Sequence, residues 1–125
     1  MGYGEDITEL IGKTLSKVEN RDDEAIHFTV EDGSEYQLYH SQNCCESVYV
    51  EDIIGELDDL VGSPILMAEE VSSEEPPVDV KRDYDPECEE WTFYKLATVK
   101  GYVTIRWYGS SNGYYSTSVS FGKVE

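Results

Sequence analysis

Val50-Glu51-Asp52-Ile53-Ile54-Gly55-Glu56-Leu57-Asp58-Asp59-Leu60-Val61 is the stretch on which the fold turns. Val50, Ile53, Ile54, Leu57, Leu60 and Val61 are spaced i, i+3, i+4, i+7, i+10 and i+11, as on one face of an α-helix. Glu51, Asp52, Glu56, Asp58 and Asp59 fall mostly on the other side. The spacing predicts an amphipathic helix over about residues 48–61, with Ser47 as its cap. Gly62-Ser63-Pro64 would end it, because glycine suits the C-terminal cap and proline cannot continue the helix. Two details count against this reading. An interior Gly55 costs about 1 kcal/mol relative to alanine, and Asp58 and Asp59 near the C-terminal end oppose the helix dipole.

On either side of this stretch the pattern is that of strands. Lys13 to Val18 reads as a first strand. Ile26, Phe28 and Val30 then alternate with His27 and Thr29, the period of a half-buried strand. Asp32-Gly33 is a hairpin turn signal, and Tyr36 and Leu38 alternate with Gln37 and Tyr39 on the return. Beyond the predicted helix, Ile65 to Val71 reads as another strand. Residues 72–90 are polar, acidic and hold three of the four prolines, so they read as an exposed loop. A meander follows: Trp91 to Val99, a turn at Lys100-Gly101, Tyr102 to Tyr108, a second turn over Gly109 to Gly113, and a last strand through Tyr115, Thr117, Val119 and Phe121. The expected class is α+β weighted toward β. It would be one antiparallel sheet, twisted or partly closed, with the helix packed over it, in a single domain spanning residues 1–125.

Composition narrows the functional classes. The 125 residues include 39% apolar side chains and ten tyrosines, enough to build one hydrophobic core. No apolar run approaches the roughly 20 residues needed to span a bilayer, and Met1 to Asp6 lacks the basic start of a signal peptide. Three cysteines form no secretory framework, so a reducing cytosol is the expected setting. The net charge of −18 opposes direct binding to nucleic acid or to an anionic membrane. That charge is uneven: residues 1–42 carry −7, residues 43–90 carry −14 and residues 91–125 carry +3. Such asymmetry suits a field that steers a basic partner.

Few residues suggest chemistry. His40, Cys44, Cys45 and Glu46 are all metal-capable, but adjacent cysteines on extended backbone point to opposite faces, so no metal site is expected. Cys88 lies among Glu87, Glu89 and Glu90, whose charge should raise a thiol pKa and disfavour a nucleophile. Asp83-Tyr84-Asp85-Pro86-Glu87 lacks the EF-hand pattern, and the phosphate-binding and hydrolase motifs do not occur. No enzyme and no cofactor are expected. Trp91, Tyr94, Tyr102, Trp107, Tyr108, Tyr114 and Tyr115 concentrate beside Lys95, Lys100 and Arg106, a combination able to stack bases or hold a small anion.

Tyr39 to Leu57, Gly62-Ser63-Pro64-Ile65-Leu66-Met67-Ala68-Glu69-Glu70, Trp91 to Thr98 and Tyr102 to Tyr115 together resemble a family of short acidic proteins found mainly in bacteriophages. The likeness runs from Leu10 to Phe121 and departs mildly at Asn43, where the family pattern leads one to expect aspartate. It implies a viral origin and a place in the host cytoplasm, but no activity that could be transferred to a residue.

Three functions are expected in order. The first is an acidic protein that binds a basic surface of a host nucleic-acid-handling or defence protein, as an inhibitor or DNA mimic, through Glu51, Asp52, Glu56, Asp58, Asp59, Glu69 and Glu70. The second is a small-ligand module that holds a nucleotide or signalling molecule with Tyr94, Lys95, Arg106, Trp107, Tyr108 and Tyr114. The third is a part of the virion.

Overall fold

The computed structural model describes residues 6–40, 46–73, 88–111, 117 and 119–124. Eight strands are described: β1 (Leu15–Arg21), β2 (Ala25–Val30), β3 (Glu35–Tyr39), β4 (Ser47–Ile54), β5 (Met67–Ser73), β6 (Cys88–Thr98), β7 (Gly101–Ser111) and β8 (Ser120–Val124). Two short 3-10 turns, Ile7–Leu10 and Leu57–Leu60, complete the described elements. The strands form two antiparallel sheets, ordered β1-β2-β3-β8 and β4-β7-β6-β5.

Alternation puts one face of each sheet into a common core. The first sheet contributes Leu15, Ile26, Phe28, Leu38 and Phe121, and the second contributes Val50, Tyr94, Leu96, Val103, Ile105 and Trp107. Ile7, Leu10 and Leu60 from the 3-10 turns close the core. Backbone bonds sew the sheets together along one side: Gly12 N–H to the Ile65 carbonyl at 2.8 Å, Ile65 N–H to the Lys13 carbonyl at 2.9 Å, and Gly62 N–H to the Leu15 carbonyl at 2.9 Å. The β1–β2 turn reaches the other sheet, where the Asp23 carbonyl accepts from Val50 N–H at 2.7 Å. Asp22 and Asp23 occupy the left-handed region there, which short polar side chains tolerate.

No α-helix is present among the described residues, and the expected α+β class gives way to an all-β one. The predicted helix over 48–61 is β4 followed by the second 3-10 turn. Its helical period has a specific origin. Val50 pairs with Trp107 and Asp52 with Arg106, so Glu51 is an extra residue in a bulge. The bulge stretches the spacing of inward side chains from two residues to three, from Val50 to Ile53. Gly55 then turns the chain, and the 3-10 turn puts Leu57 and Leu60 against the core three residues apart. A bulge and a turn in series thus imitate i, i+3, i+7.

The single-sheet expectation also fails. The final strand pairs with β3 rather than β7: Leu38 faces Phe121 and Tyr39 faces Ser120. Strand β7 continues to Ser111, through residues expected to turn, and β8 begins at Ser120. The β2–β3 hairpin and the β6–β7 pair stand where the alternation placed them. Strands β1 and β5 begin two residues later than expected. The expected loop is narrower at both ends, since Ser72–Ser73 and residues 88–90 are strand; residues 74–87 lie outside the described residues.

Candidate functional site

The two sheets turn different surfaces outward. On the first sheet the outward row is polar: Glu19 meets Arg21 at 2.9 Å and Lys17 at 3.5 Å, and His27 meets Glu35 at 3.0 Å. On the second sheet the register aligns Tyr49–Tyr108–Trp91, Asp52–Arg106–Phe93–Val71, Ile54–Thr104–Lys95–Glu69 and Tyr102–Ala97–Met67 across the strands. Residues directly opposite on neighbouring strands share a face. Val103, Ile105 and Trp107 point into the core, so these rows point away from it. Tyr102 is 70% exposed, Ile54 51%, Val71 42% and Tyr49 39%. Large apolar side chains therefore stand in solvent on this face.

Arg106 organises one end of it. Its Nε donates to Glu51 Oε1 at 2.5 Å, and its Nη2 lies 3.7 Å from Asp52 Oδ2. The guanidinium also sits 5.7 Å from the Trp91 ring centroid, within cation–π range. Trp91 packs on Tyr108 at 4.6 Å between centroids, and Tyr108 meets Tyr49 edge-on at 5.7 Å. The β4 bulge makes this possible by bringing two successive carboxylates within reach of one guanidinium. Arg106 and Trp91 are nearly fully buried even though they lie on the outward face.

The expected acidic set does not lie on one helix. Glu51 and Asp52 are on β4, Glu56, Asp58 and Asp59 belong to the 3-10 turn and its cap, and Glu69 and Glu70 are on β5. Strands β4 and β5 are the opposite edges of the second sheet. All seven except half-buried Asp59 are exposed. The Asp59 carbonyl accepts from the Thr98 hydroxyl, which fixes the turn to the end of β6.

The expected ligand set divides. Lys95, Arg106 and Tyr108 share the outward face, whereas Tyr94 and Trp107 lie in the core. Tyr114 lies outside the described residues, as do Cys44 and Cys45. Alternation along β6 and β7 already separates these groups, because Tyr94 and Trp107 are register mates of core positions. Sequence reading missed Tyr49, Ile54 and Val71 as parts of the exposed face. Their signal was masked by the helical reading of β4 and by the polar neighbours of Val71.

Two further polar contacts lie apart from this face. His40 Nε2 is 2.8 Å from Glu46 Oε2, and both side chains are almost wholly enclosed. Across the β5–β6 pair, the Tyr94 hydroxyl hydrogen-bonds the Glu70 carboxylate. Burial, with the neighbouring Glu70 charge, pushes the Tyr94 pKa well above its ordinary value, so the hydroxyl keeps its proton and donates.

A family model described as a domain of unknown function, DUF7448, matches residues 8–121. The chain belongs to the DUF7448 family. The DUF7448 match begins in the first 3-10 turn and ends in β8, so it takes in both sheets and the whole outward face of the second. No curated protein and no solved structure matches the chain. The DUF7448 description names no activity, so residue roles rest on the geometry alone.

Proposed function

We propose that this chain is a phage-encoded acidic binding protein that engages a basic surface of a host protein, one that handles nucleic acid or acts in defence, and blocks it. The observation that carries this reading is the surplus of exposed carboxylates. Glu51, Asp52, Glu56, Asp58, Glu69 and Glu70 all stand at the surface of a chain whose net charge is −18. A field of that sign draws basic partners in and repels nucleic acid and anionic lipid. The resemblance to short acidic phage proteins supports the viral setting.

Mimicry of a regular phosphate spacing loses its scaffold, because the carboxylates occupy two sheet edges and a turn in place of one helix. The small-ligand reading is weaker for a similar reason: two of its residues face the core. Affinity capture from host extract tests the proposal, with a charge-neutralised variant (Glu51→Gln, Asp52→Asn, Glu56→Gln, Asp58→Asn, Glu69→Gln) as the control. The wild-type chain should retain a basic partner at low salt and lose about ten-fold in affinity or more toward 0.5 M salt. Retention that ignores both salt and neutralisation would sink the reading.

A further inference from the structure

We infer that the outward face of the second sheet is the docking surface for that partner, and that it fits a protein surface on which apolar side chains are interspersed with lysine and arginine. The inference rests on the proposed binding role and names where and how it is carried out. Its first support is the contrast between the two sheets. The outward row of the first sheet is closed by the ion pairs of Glu19 with Lys17 and Arg21 and by the contact of His27 with Glu35, whereas the second sheet exposes Tyr49, Ile54, Val71 and Tyr102. Tyr49 joins the aromatic row at one end of this face, and Ile54 and Tyr102 lie on neighbouring strands toward the other; exposed apolar groups gathered on one face mark an interaction site.

Charge placement selects the occupant. Among the described residues the cations of the face, Lys95 and Arg106, lie on the inner strands β6 and β7, and Glu51 takes up the Arg106 charge. The carboxylates lie on the outer strands: Glu51 and Asp52 along β4, Glu69 along β5, with Glu56 just past the end of β4. The exposed apolar groups therefore stand among these carboxylates: Tyr49 and Ile54 share β4 with Glu51 and Asp52, and Val71 shares β5 with Glu69. The complementary surface carries apolar side chains beside lysine and arginine. A second copy of this chain would bring an acidic rim against an acidic rim, and a net charge of −18 against itself.

Two short peptides of equal length and charge test this, one alternating lysine with leucine and the other lysine with serine. Their binding to the intact chain is followed by fluorescence anisotropy at low salt. The lysine–leucine peptide should bind at least about ten-fold more tightly, from the extra apolar area buried. The double substitution Val71→Ser and Tyr102→Ser should remove that preference and leave lysine–serine binding unchanged. Both positions are exposed, so the fold should tolerate the change, and Ile54→Ser offers an independent second variant on the same face. Amide shifts on titration should concentrate in residues 91–95 and 102–108. Equal affinity for the two peptides, or a preference that survives the substitutions, overturns the docking surface and leaves the acidic-binding reading intact. Failure of both peptides to bind at low salt overturns the acidic-binding reading as well.

Discussion

Glu70 shows how a single residue can resist the environment its strand assigns to it. On β5 it lies opposite Tyr94 of β6, on the side of the sheet that faces inward. Partial burial raises its carboxyl pKa above the ordinary value, and the charges of Asp6 and Glu90 push the same way, while the Tyr94 hydrogen bond pulls back. The folded chain therefore holds this proton more tightly than the unfolded chain does. Its contribution to stability is fully present below the unfolded pKa and is lost as pH rises through the folded one. Replacing Glu70 with Gln keeps an acceptor for the tyrosine and removes the charge. The variant should gain stability relative to wild type at neutral pH, and the gain should vanish below about pH 4, where the wild-type carboxyl is already protonated. Urea midpoints at the two pH values read this directly. A difference that is the same at both would show that the charge is not what matters at this position.

At the level of elements, the strands that alternate without interruption were legible from sequence, and the irregular one was not. Ile26, Phe28 and Val30 paired with Tyr36 and Leu38 form the β2–β3 hairpin that their period announces. The β6–β7 pair likewise follows from its run of β-formers. Strand β4 was misread because its bulge at Glu51 and the turn after Gly55 add up to a helical spacing, although Val48, Tyr49, Val50, Ile53 and Ile54 are strand-forming residues. The pairing of β8 with β3 depends on long-range contacts that no local pattern encodes. The same irregularity hid the candidate site. Reading Ile54 into a helix removed it from the face it shares with Thr104 and Lys95. Gly55 tests this account of β4. It has a φ of +105°, and an added Cβ would lie 2.5 Å from the Tyr102 carbonyl oxygen, against backbone that cannot easily yield. In a helix, alanine would be the better residue there; in the observed turn, Gly55→Ala should cost roughly 2 kcal/mol or more. Gly12 has a φ of +88° with nothing within 4 Å of an added Cβ, so Gly12→Ala should cost only about 1 kcal/mol of backbone strain. Chemical denaturation of the pair separates the steric part from the conformational part. A Gly55→Ala chain as stable as wild type would contradict the turn.

For the whole molecule, charge should act on folding and on the proposed binding with opposite signs, and this allows the two to be told apart. Twenty-seven acidic and nine basic side chains give the folded chain a net charge of −18. Compaction brings those charges together, so self-repulsion weakens the folded state. The ion pairs Lys17–Glu19, Arg21–Glu19 and Arg106–Glu51 relieve little of an excess that large. Screening shortens the reach of the repulsion, with a Debye length that falls from about 30 Å at 0.01 M salt to about 3 Å at 1 M. Sodium chloride should therefore raise the thermal midpoint of the free chain by several degrees over that range, most steeply at the low end, where the length is comparable to a small domain. Association with a basic partner should weaken over the same range, because the same screening removes the attraction. A chloride salt is the proper probe, since sulfate would also strengthen apolar burial. Thermal scans of the free chain beside binding titrations at matched salt make the comparison. If the midpoint falls with salt while binding also weakens, loss of the folded state would account for the loss of binding, and the electrostatic reading would fail. If the midpoint rises while binding weakens, the two effects share one cause, the screening of a surplus negative charge that the apolar core and two antiparallel sheets hold together against its own repulsion and that the proposed partner would meet.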